Sequence, residues 1–455
     1  MEKERRYLNF GQKLAYGADG VGHCFFYTFI STYIMVYMGS IGLNAGVIGT
    51  LMLVSKCFDG LSDIFFGSVI DKTHSKWGKA RPWVMGGAIP LAIVQVLIFM
   101  VPEMEQFAQY AYFFVMYCAA NAIFYTINNC AYNALSNLIT HSNTEKVQLG
   151  AIGLIGESIA GITIPIVCTR VVEYFGNGAQ GWKVTAIIFA AAQLLFAAIT
   201  FLGTKEIPHE EEATERKIAE GEKISFLQIL KIVVTNKYYL IMLGISVMIA
   251  CIGTSFFTSG AYYAQWILGD GALLSVISTA FSAGMLAGMF TNPILVAKIG
   301  YRKTMGYTNL LSIAFLILFA AGAYMKSIPL LVTGMFFKNM TGFSAIGCCL
   351  YAAIGDIAKY SYRLHGVHVE GSMFSCSSMG RKIGQGVTAS VCGWLLTLGG
   401  FLGTSAVQSE SAINMIFFMF AVLPLVFTVI LTILCFGLKV EEANETWEKE
   451  HCIIK

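Results

Sequence analysis

Apolar residues run along this chain in long blocks separated by short polar breaks, not in the alternation of a half-buried strand. Twelve blocks stand out, at residues 14–38, 45–70, 82–101, 107–137, 149–174, 182–203, 236–267, 271–297, 304–325, 328–355, 371–400 and 411–438. A helix rises about 1.5 Å per residue, so each block is long enough to cross the ~30 Å hydrocarbon core of a bilayer. The pattern predicts an all-α membrane protein of twelve transmembrane helices in two six-helix halves. The longest charged stretch starts at Thr204 and runs to about Tyr239, midway along the chain. The expected organisation is a first half at 1–203, a cytoplasmic linker at 204–235, a second half at 236–438 and a tail at 439–455. The linker reads as a solvated connector without chemistry of its own.

Basic residues orient the bundle. Lys3, Arg5, Arg6 and Lys13 precede the first span, and Lys72, Lys76, Lys79 and Arg81 follow the second. Lys298, Arg302 and Lys303 follow the eighth span, and Lys359 and Arg363 the tenth. The loops SIGLNAG and LGDG carry no Lys or Arg. Positive loops stay in the cytoplasm, so both termini are expected there, in a bacterial inner membrane. GSVIDKTHSKWGKARPW after span two matches NPILVAKIGYRKT after span eight in position and in its basic turn. Parallel repeats of this kind imply alternating access.

Composition agrees: 56% of residues are hydrophobic and 13% charged, with mean hydropathy +0.66. Soluble domains carry about 25% charged residues, so that class is excluded. A net charge of +3 gives no support for nucleic-acid binding. The twelve cysteines form no CxxC and read as small apolar fillers. The first residues, MEKERRYLNFGQK, show no removable signal peptide. No HExxH, GxSxG or histidine cluster is present, so an enzyme is not expected, and no cofactor is implied.

Against this background, Asp59 and Asp63 are anomalous. They lie inside the apolar stretch GTLMLVSKCFDGLSDIFFGSVI. A carboxylate at bilayer depth costs on the order of 2.5–3.5 kcal/mol on insertion scales. One helical turn apart, the two share a face at roughly 5–6 Å between Cβ atoms. Like charges that close need a cation between them or a proton on one, which points to Na⁺ or H⁺ as a coupling ion. Lys56 lies on the same stripe and offers another reading, an internal ion pair with Asp59 that serves packing alone.

Span four is polar for a membrane helix, with Asn121, Tyr125, Thr126, Asn128, Asn129, Tyr132, Asn133, Ser136 and Asn137. These amides and hydroxyls suit sugar hydroxyls or a hard cation, or interhelical hydrogen bonds. Span one carries Tyr16, Asp19 and His23, which are either structural or cavity-lining. Arg381 and Lys382 lie in span eleven and, as neighbours, cannot share a face. Glu157 in span five could pair with either. Tyr262, Tyr263 and Trp266 end span seven as an interfacial belt or a sugar-stacking surface.

Taken together, YGADGVGHCFF, LVSKCFDGLSD, GSVIDKTHSKWGKARPW, YTINNCAYNAL, DIAKYSYRLHGVHVEG and GRKIGQG resemble the glycoside–pentoside–hexuronide:cation symporters, from about residue 7 to 400. That family is a branch of the major facilitator superfamily. The resemblance implies the major facilitator fold and a cation site of Asp59, Asp63 and Thr126. If sodium is the ion, Asp59 and Asp63 are its ligands. Substrate contacts are expected from Asp19, His23, Asn129, Tyr132, Asn133, Arg381 and Lys382. Coupling or gating is expected from Lys56, Asp71, Lys382, and a loop around Tyr360 and Glu370. The chain departs from the family's galactoside carrier at Cys24, Asn129 and Leu154, and at Ser62 beside the second acid. These changes favour an anionic or neutral glycoside and leave Na⁺ and H⁺ both open. The expected partners are a small sugar or glycoside and the lipid bilayer. Nothing in the folding logic requires more than a monomer. The rival readings are a major facilitator exporter of a non-sugar solute and a non-transporting sugar sensor.

Overall fold

The computed structural model describes residues 7–71, 73, 75–140, 142–176, 178–207, 235–365, 370–405 and 407–450, with some side chains inside α2, α5, α10, α11 and α13 left out. Lys3, Arg5, Arg6, Lys72 and most of the linker lie outside these residues, as do the side chains of Asp63, Asp71 and Glu370. All regular structure among the described residues is helical. The helices are α1 (Phe10–Ser40), α2 (Ala45–Asp71), α3 (Arg81–Ile98), α4 (Gln106–Leu138), α5 (Asn143–Tyr174) and α6 (Ala179–Gly203). Then come α7 (Lys237–Ile267), α8 (Leu273–Ile299), α9 (Tyr301–Tyr324) and α10, which runs from Ile328 to His365. Last are α11 (Glu370–Leu398), α12, which runs from Glu410 to Gly437, and the short α13 (Val440–Glu450). Among the described residues ten helices are long and apolar enough to cross a membrane, and α2 and α11 complete the twelve.

Local chemistry sets several helix ends. Asn9 caps α1 in a reciprocal box with Gln12, and Ser142 accepts from the Glu145 amide at the start of α5. The amides of Lys79, Ala80 and Arg81, at the start of α3, donate to the Glu206 carboxylate at 2.6, 2.9 and 2.9 Å. An anion at a helix N-terminus is favourable, so the first linker residues pin the α2–α3 loop. Gly78 there has φ +111°, and any Cβ would strike Glu206. At the base of α5, burial alone pushes the Glu145 carboxyl up. Hydrogen bonds from Thr140, the Leu8 and Tyr7 amides and Lys13 outweigh this and hold it below the usual carboxylate range.

Helix α10 is predicted to end at residue 355 but continues to His365. The extension is amphipathic rather than apolar. Its polar face is held by α13: Arg363 donates to Asn444 at 3.0 Å and pairs with Glu448, and Lys359 meets Glu448 at 2.6 Å. Tyr360 therefore sits on a helix, not in a loop, and packs edge-on against Tyr238 at 5.1 Å between ring centroids.

Four of the helices contain π turns: Ala119–Tyr125 in α4, Tyr263–Ile267 in α7, Asn339–Phe343 in α10 and Phe418–Val422 in α12. Each widens the helix by one residue, a distortion that recurs at functional sites.

The chain forms two compact units. Unit 1 is Met1–Glu210, Phe257–Thr279 and Gly386–Ile416, and unit 2 is Glu211–Phe256, Ala280–Gln385 and Phe417–Lys455. Within unit 1, α2 is tied to the C-terminal part of α11. Ser390 donates to Gly49 O at 2.8 Å, Trp394 Nε1 to Thr50 Oγ1 at 3.0 Å, and Thr397 to Asn44 Oδ1 at 3.1 Å. Glycines 17, 20, 153 and 156 bring α1 and α5 together. A Cβ on Gly156 would lie 3.0 Å from Val21 N and 3.2 Å from Gly17 O.

Candidate functional site

In unit 1 the π turn of α4 lies against the middle of α2. Lys56, Asp59, Asn121 and Thr126 meet there at 6, 1, 2 and 1% exposure, so the charges stand in a dry interior. Lys56 Nζ lies 3.1 Å from Asp59 Oδ2 and 3.3 Å from Asn121 Oδ1. The Thr126 hydroxyl lies 2.8 Å from Asp59 Oδ1 and 3.0 Å from the Asn121 carbonyl. A hydroxyl has one proton to give. With Asp59 ionised, that proton goes to the carboxylate, where the bond is charge-assisted. With Asp59 protonated, the acid donates to Thr126 and Thr126 donates on to Asn121. One set of atoms accommodates both charge states. The i,i+3 pairing of Lys56 with Asp59 is the one read from the stripe. Ser62 donates to the Asp59 main-chain oxygen at 2.9 Å.

The polar stripe of α4 divides among neighbours. Asn121 and Thr126 face α2. Asn128 donates to Val84 O at 2.9 Å and ties α4 to α3. Asn129 is half-buried and accepts from exposed Asn133 at 3.3 Å. Beside them lies an aromatic wall. Tyr16 stacks on Tyr132 at 4.5 Å between centroids, His23 sits 5.0 Å from Tyr132 and 6.2 Å from Tyr125, and Tyr27 stacks on Tyr125 at 6.0 Å. Gly20 and Gly153 leave room for the Tyr132 phenol. Aromatic faces flanked by amides suit a sugar ring.

Asp19 and His23 do not pair through their side chains. His23 Nδ1 meets the Asp19 main-chain oxygen at 2.7 Å. The Asp19 carboxylate is fully buried, and neither oxygen has a hydrogen-bond partner among the described residues. It lies towards α6, near Gly22, Phe196 and Gln193, while its amide is anchored on Thr200 at 3.0 Å. Tyr262 and Tyr263 are buried rather than belted at an interface. Tyr262 packs edge-on against Phe401 at 5.1 Å.

Unit 2 holds the exposed Arg381 and half-buried Lys382 on α11, together with Tyr360 on α10. It also holds Lys338, which the sequence reading passed over. The residue is 4% exposed, and its ammonium lies 3.2 Å from Asn339 Oδ1, with the rings of Phe281 and Phe343 at 5.7 and 5.6 Å. Lysine within the apolar block IPLLVTGMFFKNM is the same signal that singled out Asp59. The two units repeat one arrangement. Asn121 donates to Tyr117 O at 3.2 Å and Asn339 to Met335 O at 3.0 Å, each opening or lying within a π turn and each accepting from a lysine.

The family model for "MFS/sugar transport protein" matches residues 15–442. The isoprimeverose transporter of Lactiplantibacillus pentosus is 28% identical over 88% of this chain and 82% of its own length. The glucuronide carrier protein homolog of Escherichia coli K12 is 25% identical over 87% and 85%. A crystal structure of a bacterial homolog of the lysosomal transporter Spinster has the same fold, with TM-score 0.68 at 13% identity, over 96% of this chain and 98% of that one. A match this extensive, over nearly the whole of an all-helical chain, places the protein in the MFS/sugar transport protein family.

Proposed function

We propose that the protein is a secondary active symporter that couples inward movement of Na⁺ or H⁺ to uptake of a sugar or glycoside by alternating access. The observation that carries this reading is the buried cluster of Lys56, Asp59, Asn121 and Thr126, an ionisable site within the helix bundle. A cation joining Asp59 competes with the Lys56 ammonium and draws on the Thr126 hydroxyl. Binding there acts on α4, the helix that also presents Asn129, Tyr132 and Asn133 to sugar. Cation occupancy thereby raises sugar affinity. Only the empty and doubly loaded carriers exchange between inward- and outward-open states. Asp63, Asp71, Arg381, Lys382, Tyr360 and Glu370 keep the coupling, gating and substrate roles implied by the family resemblance. The names of the relatives support pentose-containing and uronic glycosides as first candidates.

Binding of isoprimeverose, a methyl glucuronide and a methyl galactoside to the detergent-purified chain tests the reading. One of them is expected to bind, with affinity changed about 5–150-fold by Na⁺ or by pH, and the sugar must tighten cation binding by the same factor. Affinity indifferent to both ions would sink it. Counterflow in proteoliposomes separates a transporter from a sensor.

A further inference from the structure

Three metal-ligand side chains converge on the aromatic wall from two helices. His23 and Cys24 come from α1 and Glu157 from α5, each offering one donor atom, and the donors all lie within 4.8 Å of one another. We propose that this cluster is a binding site for a soft divalent cation of the Zn²⁺ class, distinct from the coupling-ion site at Asp59.

Four observations carry the assignment. The donor set of imidazole nitrogen, thiolate sulfur and carboxylate oxygen is the mixture Zn²⁺ accepts, and three protein ligands leave a fourth position open. Metal–donor distances of about 2.0–2.3 Å put tetrahedral donors roughly 3.3–3.8 Å apart. Donors within 4.8 Å of one another therefore need a closure of about 1 Å to hold the ion, within reach of side-chain rotation. His23 is already set as a ligand. The Asp19 carbonyl can only accept, so Nδ1 carries the proton at 2.7 Å and Nε2 keeps the lone pair, the orientation that metal-bound histidines show. Finally, the two helices that carry the ligands are packed closely beside the site. The glycine contact between α1 and α5 fixes the two backbones, so the ligands are brought together by the fold and not by the ion.

Charge balance favours the same class of ion. Zn²⁺ with the Cys24 thiolate, the Glu157 carboxylate and a neutral imidazole is electroneutral, as a membrane interior demands. Binding releases the Cys24 thiol proton to water, so affinity falls as pH is lowered. Na⁺ or Mg²⁺, which prefer oxygen ligands, gains little from sulfur. An ion here bridges α1 to α5 beside Tyr125 and Tyr132. If the sugar is held at that wall, which rests on the proposed function, the ion inhibits transport.

Cadmium titration of the detergent-purified full chain tests the site without any sugar. One Cd²⁺ per chain is expected to produce a thiolate-to-metal ultraviolet band that Zn²⁺ competes away. The chain has other cysteines, so the reading is the difference between native protein and Cys24→Ser, which should lose that band. Glu157→Gln and His23→Gln should weaken binding at least tenfold. Glu157→Gln alters an exposed side chain and carries the test alone if Cys24→Ser does not fold. An unchanged band in Cys24→Ser, or unchanged affinity in Glu157→Gln, overturns the proposal. Saturable binding at Cys24 without inhibition of sugar counterflow upholds the metal site and overturns only the placing of sugar at this wall.

Discussion

Asp59→Asn is expected to give a carrier that still exchanges sugar across the membrane but no longer concentrates it. Asparagine keeps the shape and can still accept from Lys56, so the α2–α4 contact persists although the ammonium loses its counter-charge. What is lost is the negative charge, and with it the differential affinity for a cation on which any conformational bias depends. In proteoliposomes with an imposed Na⁺ or proton gradient, accumulation should fall to simple equilibration while sugar counterflow persists. Accumulation against a gradient by Asp59→Asn would remove Asp59 from the coupling role.

Lys56→Met carries the second large effect, on stability and with an unusual dependence. In the native chain the ammonium at 3.1 Å offsets the buried carboxylate. Breaking a buried ion pair by removing one partner costs about 3–5 kcal/mol, because the other charge is stranded. Asp59 then has to recruit a cation from solution. Melting of Lys56→Met should shift downward in Na⁺-free buffer at alkaline pH and recover on adding Na⁺ or lowering pH, while the native protein responds much less. Ligand linkage makes about 100 Kd of the coupling ion worth about 2.7 kcal/mol. Acid relieves a stranded carboxylate in either case, so rescue by Na⁺ at fixed alkaline pH marks Na⁺ as the coupling ion, and rescue by acid alone marks H⁺. The double variant Lys56→Met/Asp59→Asn should be less destabilised than the sum of the two singles, since nothing is left unpaired. Rescue by neither ion would mean that the pair serves packing alone.

The helices were legible because a bilayer imposes one length and one hydropathy on every span. The twelve blocks and the twelve helices agree to within several residues except where another constraint acts. The extension of α10 from 355 to His365 and the whole of α13 lie beyond the apolar blocks. They are held by polar pairs such as Arg363 with Asn444 and Glu448, which no hydropathy pattern announces. Lys56 beside Asp59 could be read from their spacing, because i,i+3 neighbours on a helix must meet. Thr126 beside Asp59 depends on how two helices pack, and only the family resemblance pointed to it. Asp19 shows the limit from the other direction. A carboxylate near His23 in sequence looks like a pair, but the helix turns it towards α6 and leaves the imidazole on the main chain. Lys338 was visible by the argument that found Asp59.

The π turn at residues 119–125 also has a meaning for chain length. A π turn is an α-helix that has taken in one extra residue. Removing a single codon there, for instance that of Ala122, would let α4 close into a continuous α-helix, and because the wide turn had absorbed that residue the helix beyond it would keep its present faces. Removing Ile127, in the regular helix just past the turn, would instead rotate everything beyond it by about 100°. Asn129, Tyr132 and Asn133 would then leave the aromatic wall with no polar group altered. The first deletion should leave sugar binding by the detergent-purified chain in place, and the second should abolish it. For a lineage of such carriers, the π turn is a place where chain length can change by one residue without turning the helix.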